Sequence, residues 1–194
     1  MPIKKPQSGY QRGTSLLEVL VTIVILAFGL LGLAGLQAKT QLLEVESFQR
    51  AQAVLLLADM RERISSNGAN AANYAVMNVG TNDSQPADCS SVTPQANKDI
   101  CEWSNALKGS AEKMGTSNTG AMAEGRGCIQ QLQPPDPSAG VCTPGIYRIT
   151  VVWQGKNPTV APAAGLNCGL GSYTPDTTRR AISSQVTVGL PYCI

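Results

Sequence analysis

The sequence predicts an α+β fold in which a long N-terminal helix packs on a small antiparallel β-sheet with disulfide-stapled loops. Residues 19–36 carry no charged residue. A helical spacing of apolar residues then continues to about Ile64, and no proline occurs between Pro6 and Pro86. Later segments alternate apolar and polar residues at the period of β-strands. These three observations indicate one long helix followed by a sheet.

The apolar run at residues 19–36 is long enough to cross most of a bilayer as a helix. Its N-terminal flank carries Lys4, Lys5 and Arg12 and no acid, a bias that keeps the N-terminus in the cytoplasm. Glu18 is the exception in this segment, since an unpaired carboxylate at bilayer depth costs on the order of a few kcal/mol. We therefore expect Glu18 to need a partner.

Gly13 and Thr14 precede the apolar run, whereas an ordinary signal peptide places its cleavage site after such a run. Glu18 is the fifth residue of a product that begins at Thr14. This pattern resembles the class III leader of type IV prepilins and of type II secretion pseudopilins. The resemblance implies cleavage after Gly13 by a membrane prepilin peptidase, N-methylation of Thr14 and a role for Glu18 in assembly. The alternative is a signal anchor whose Glu18 snorkels to the headgroups.

The chemistry of this motif can be derived from the charges alone. Cleavage leaves an amine on Thr14 at membrane level, and in a helical stack this amine can lie beside Glu18 of the next subunit. Each charge then gains its partner only on assembly, so the pair sets the register of the subunits rather than their stability.

The segments divide the chain into four parts. Residues 1–13 are the cleaved leader, 14–36 the transmembrane helix, 37–64 an amphipathic helix and 65–194 an extracytoplasmic globular domain. A helix from about residue 15 to 64 spans on the order of 75 Å at ~1.5 Å per residue. We expect a sheet to cover the apolar stripe of its outer half, which comprises Leu42, Val45, Gln49, Ala53, Leu56, Met60 and Ile64.

All cysteines follow the apolar run, and their even number in an exported domain predicts disulfides formed in an oxidising compartment. A metal site would favour histidines or a C-x-x-C pair, and the sequence has neither, so no metal or cofactor is expected. Spacing does not fix the connectivity. Sequential pairing is the starting hypothesis, with Cys89–Cys101, Cys128–Cys142 and Cys168–Cys193 as the pairs.

Residues 65–98 are predicted to form a loop, with a turn of helix around 71–76. A short helix is expected over 99–107, with Asp99 as its cap. We expect Trp103 to anchor this helix in the core, with carbohydrate stacking as the alternative. Strands are predicted over 126–132, 146–154 and 181–190, and the connections between them favour an antiparallel meander.

A long helix followed by a variable loop and an antiparallel sheet is the pilin architecture, so the resemblance extends to the fold. Three short motifs, Glu102-Trp103, Gly127-Cys128-Ile129 and Trp153-Gln154-Gly155, further resemble minor pilins of the PilV group. That resemblance implies a minor pilin that joins other minor pilins to initiate or cap a type IV pilus, with roles in twitching motility and adhesion. It implies prepilin peptidase, other minor pilins, the major pilin and the inner-membrane assembly platform as partners. The protein would reside in the inner membrane with a periplasmic domain, and then in the pilus at the cell surface.

Composition excludes several other functions. The 194 residues include no histidine, which removes the usual Ser-His, Cys-His and metal-His arrangements, so no enzymatic activity is expected. Loss of residues 1–13 lowers the net charge from +2 to −1, which gives no support for nucleic-acid binding. Two alternatives stay open. One is a type II secretion pseudopilin, and the other is a membrane-anchored extracytoplasmic binding or adhesin domain.

Overall fold

The computed structural model describes residues 15–110, 113–115, 117–118 and 122–190. The chain forms two compact units, one ending at Glu44 and the other beginning at Val45. Helix α1, Leu16–Ser66, is the longest element and contributes residues to both. The predicted helix is confirmed, because no proline interrupts the helical spacing between its ends.

The described part of the first unit is α1 up to Glu44, preceded by Ser15, and all of these residues are exposed. The helix is long and apolar enough to cross a membrane, judged by length and composition. This property agrees with the predicted membrane segment.

The second unit contains an antiparallel sheet of four strands, β1 Val76–Gly80, β4 Arg126–Gln133, β5 Gly145–Gln154 and β6 Arg179–Val188. Their order in the sheet is β1-β4-β5-β6. The predicted meander is confirmed as β4-β5-β6. Sequence reasoning missed β1, as well as the short hairpin of β2 Lys113–Met114 and β3 Ser117–Asn118.

Two helical elements lie between α1 and β4. A 3-10 helix, Gly68–Tyr74, follows α1. The sequence analysis expected a single turn of helix slightly later, around residues 71–76. Helix α2, Gln95–Leu107, starts four residues before the predicted position, with Pro94 at its N-cap. The prediction that Asp99 caps this helix is wrong, because Asp99 lies inside it and is buried.

One face of the C-terminal part of α1 is buried in the core of the second unit. Ala53, Met60 and Ile64 are fully buried there, as the predicted stripe required. Leu42 and Val45, at the start of that stripe, are exposed instead. The core also contains side chains from α2 and the sheet, chiefly Trp103, Leu107, Ile129, Tyr147, Ile149 and Val151.

The disulfides correct part of the predicted connectivity. Cys89 and Cys101 are bonded as predicted, but Cys128 is bonded to Cys168, so the pairs Cys128–Cys142 and Cys168–Cys193 are wrong. Antiparallel pairing places Cys128 opposite Thr150, whereas Cys142 lies in the connection at the other end of the β4–β5 hairpin. Cys142 is also disulfide-bonded, and Cys193 lies outside the described residues.

Candidate functional site

The N-terminal motif is the first candidate site, and the structure describes one of its three predicted residues. Gly13 and Thr14 lie outside the described residues. Glu18 lies in the first turn of α1, where its backbone N–H donates to the Ser15 carbonyl at 2.9 Å. Its side chain is exposed beside Leu16 and Leu17, which are 83% and 71% exposed.

The Glu18 carboxylate makes no hydrogen bond or ion pair to any residue that the structure describes. An acid in the first turn is stabilised by the helix dipole, but only by about 0.3–1 kcal/mol. That is less than the cost of a few kcal/mol for an unpaired carboxylate in lipid. In lipid, a partner would stabilise this carboxylate, and the described part of the chain supplies none.

The apolar part of α1 that follows Glu18 is suited to contact with another helix. A Cβ added at Gly29, Gly32 or Gly35 would meet no atom within 4 Å, so packing within the described chain does not require glycine there. Small residues on an apolar helix allow close approach of a second helix in lipid. The described part of the first unit thus combines the unpartnered acid Glu18 with an uncovered apolar surface.

A charged network holds α2 against α1 in the second unit. Arg63 on α1 donates to Asp59 at 2.9 Å, to Glu102 at 2.6 Å and to buried Asp99 at 3.1 Å. Tyr74 also donates its hydroxyl hydrogen to Asp99. Burial, together with this hydrogen bond, raises the pKa of Tyr74 to about 12. The network fixes the helix pair, and each of its groups is already partnered.

Trp103 is the centre of the α2 contact with α1. Its side chain is fully buried, and its Nε1 donates to the Leu56 carbonyl at 2.9 Å. The prediction that Trp103 anchors the core is confirmed, since no ring face is open to a sugar. Gly127 on β4 lies against this ring, where an added Cβ would overlap Cη2 and Cζ3 of Trp103. Two of the three short motifs therefore meet in one packing contact.

Asp83 fixes the loop after β1, a role that sequence reasoning missed. Its carboxylate accepts from the Gly80 N–H at 2.8 Å and the Ser104 hydroxyl at 2.6 Å, and it pairs with Lys108. Burial alone would raise the pKa of Asp83, but these hydrogen bonds lower it below its usual value. The available sequence signal was Asn82 next to Asp83, a pair typical of turns. The structure places Asn82 in the left-handed region, with a φ of 64°.

Within the described ranges, no group of three or more His, Cys, Asp or Glu side chains could hold a metal ion.

Residues 9–34 match the family model of the prokaryotic N-terminal methylation motif. The matched segment contains Gly13, Thr14 and Glu18, the residues that predicted the leader. The match supports processing by a prepilin peptidase and a role as a pilin or pseudopilin. Comparisons of the chain with curated proteins and with solved structures found no match.

Proposed function

We propose that this protein is a minor pilin that joins other minor pilins to initiate or cap a type IV pilus. One observation carries the proposal, namely the methylation motif at residues 9–34 with Glu18 exposed and unpartnered in an apolar helix. A membrane anchor alone needs neither a leader glycine nor this acid. A subunit that stacks its helix beside others uses both.

The proposed partner of Glu18 is the amine of Thr14 on a neighbouring subunit. The prepilin peptidase exposes this amine by cutting after Gly13, and methylation leaves it cationic. An ion pair in lipid removes two costs at once, because neither charge is solvated there. The pair can form only between subunits in register, which makes assembly selective.

The protein would wait in the inner membrane with its oxidised domain in the periplasm, and would then enter the pilus. There it would contact the inner-membrane assembly platform, other minor pilins and the major pilin. The domain would act by contact and not by catalysis. The assignment to the PilV group among minor pilins rests only on the resemblance of the short motifs around Trp103 and Gly127.

The test is the Glu18→Ala variant expressed in a strain that lacks the native protein, with Glu44→Ala as the matched control. Glu44 is an exposed acid on the same helix that lies beyond the apolar run. We expect both variants to reach normal membrane levels and to be cleaved between Gly13 and Thr14, as intact mass would show. Only Glu18→Ala should lose surface filaments and twitching, whereas normal filament number with normal cleavage would contradict the proposal.

The same strains separate the alternatives. Loss of protein secretion with normal twitching would reassign the chain to a type II secretion pseudopilus. Loss of adhesion on intact filaments would favour a binding domain.

A further inference from the structure

The connection between β4 and β5 holds Cys142 in a fixed position. Asp136 and Thr143 bridge this connection through two backbone hydrogen bonds, of 2.9 and 3.0 Å. The Cys142 N–H donates to the Ser138 carbonyl at 3.3 Å, and its φ of 46° lies in the left-handed region that few residues other than glycine adopt. Such a backbone persists where the surrounding structure determines it. The half-buried Cys142 therefore occupies a defined place at this end of the sheet.

The disulfide partner of Cys142 follows from the cysteine count. Cys142 is disulfide-bonded, but neither of the two described disulfides contains it. The sequence has six cysteines, and those two disulfides use four of them. The cysteine that remains for Cys142 in this sequence is Cys193.

The strand register brings the same two cysteines toward one end of the sheet. Strands β5 and β6 pair in one unbroken register that ends at Gly145 and Val188. Cys142 lies three residues before Gly145, and continuing this register would place position 191 opposite it. Cys193 lies two residues further on, which is about 7 Å of extended chain at ~3.5 Å per residue. A disulfide needs Cα atoms roughly 4.4–6.8 Å apart, a separation that this length of chain can reach.

We infer that a third disulfide joins Cys142 to Cys193 and fastens the segment after β6 to the β4–β5 connection. The two thiols give up two electrons and two protons to the disulfide of an oxidising thiol oxidoreductase, which becomes a dithiol. The closed loop contains β5 and β6, so the bond holds the end of the edge strand β6 to the connection that precedes β5. The ends of a fold are poorly ordered unless they are tied down in this way.

The test is a disulfide map of the full chain, extracted from membranes in detergent without a reducing agent and with its free thiols alkylated. Trypsin and Asp-N together separate Cys128 from Cys142 by cutting before residue 136, and they release Cys193 in residues 181–194. We expect a linked species of residues 136–148 and 181–194 that separates into its two peptides on reduction. An alkylated Cys142 or Cys193, or a link from either peptide to another cysteine, would overturn the inference.

Single variants identify the partner independently. Cys142→Ser should leave one alkylatable thiol per chain, at Cys193, and Cys193→Ser should leave one at Cys142. Cys89→Ser is the matched control, which should free Cys101 and leave the proposed link in place. Mixing ¹⁴N and ¹⁵N chains before oxidation tests for a bond between two copies. Linked peptides of hybrid mass would show such a bond and overturn the link within one chain.

The bond should also protect the end of β6 from opening. In a double variant with serine at both positions, amide hydrogen exchange in residues 184–188 should be at least tenfold faster than in the native chain. Exchange in β4 should stay unchanged, which shows that the variant is folded. Equal exchange of residues 184–188 in the two proteins would overturn the claim that the bond fastens this end of the sheet.

Discussion

Gly127 and Trp103 show how one residue can be required by another that is distant in sequence. The ring of Trp103 occupies the space where a Cβ of residue 127 would lie. The sequence presents Gly127 only as part of a short motif, since nothing local demands glycine in the middle of a strand. The requirement comes from α2, which folds across β4.

Replacing Gly127 by alanine should destabilise the second unit by about 1–3 kcal/mol, the usual cost of overpacking a core. The new methyl group would overlap Trp103 and lie 2.9 Å from Leu107 Cδ1. Urea denaturation followed by near-UV circular dichroism would measure this loss. Gly189→Ala is the control, because a Cβ there meets no atom within 4 Å. Equal stability of the two variants would show that the Trp103 contact tolerates the methyl group.

Asp83 makes the stability of the second unit depend on pH on the acidic side. Its pKa is lower in the folded protein than its ordinary value of 3.8. The stability that it contributes is therefore present above about pH 4 and is lost as the pH falls through the folded pKa. Asp83→Asn should cost about 1–3 kcal/mol at pH 7, because buried hydrogen bonds to a charged group are lost.

The difference between native protein and Asp83→Asn should shrink as the pH falls from 7 to 3. Denaturation midpoints at several pH values would measure it. Glu62→Gln, a change at an exposed acid of α1, should leave the pH profile unchanged. A constant difference across this range would mean that the Asp83 carboxylate does not contribute through its charge.

Single residues also show where sequence reasoning succeeds and where it stops. Glu18 was identified because its apolar surroundings are contiguous in sequence. Asp99 was misread as a cap, because its partners Tyr74 and Arg63 lie 25 and 36 residues away. Nothing near Asp99 in the sequence indicates those contacts.

Among the elements, the long helix and three of the four sheet strands could be predicted, because each carries its own periodicity. Strand β1 could not, for it is short, its register with β4 is shifted between Val76 and Val79, and Asn78 has a φ of 58°. The irregular pairing removes the alternation that reveals a strand. Disulfide connectivity failed for a related reason, since it depends on which strand ends meet.

The two described disulfides should differ in their contributions to stability. Cys128–Cys168 closes 40 residues, and Cys89–Cys101 closes 12. In the chain-entropy account these loops correspond to about 4 and about 3 kcal/mol. Replacing both cysteines of the longer loop by serine should therefore destabilise the second unit more than the same change in the shorter loop. Equal losses, or a peptide map with different links, would contradict this account.

At the scale of the whole molecule, the two units differ in what they leave uncovered. The second unit buries its apolar side chains and pairs most of its buried polar atoms. The described part of the first unit is exposed, its residues 19–36 carry no charge, and Glu18 at the start of this run is unpartnered. A membrane can cover its apolar surface, but the described residues supply no charge to Glu18. The methylation motif and this surface together account for the proposed assembly role.

The most direct test of that role is quantitative mass spectrometry of sheared and purified filaments. We predict that the native chain is present at a small fraction of the major pilin. In cells that also make the native chain, so that filaments still form, a tagged Glu18→Ala copy should be reduced at least tenfold in filaments, at an unchanged membrane level, while a tagged Glu44→Ala copy is retained. Absence of the native chain from the filaments, or equal incorporation of Glu18→Ala, would contradict the claim that Glu18 recruits this protein into a pilus.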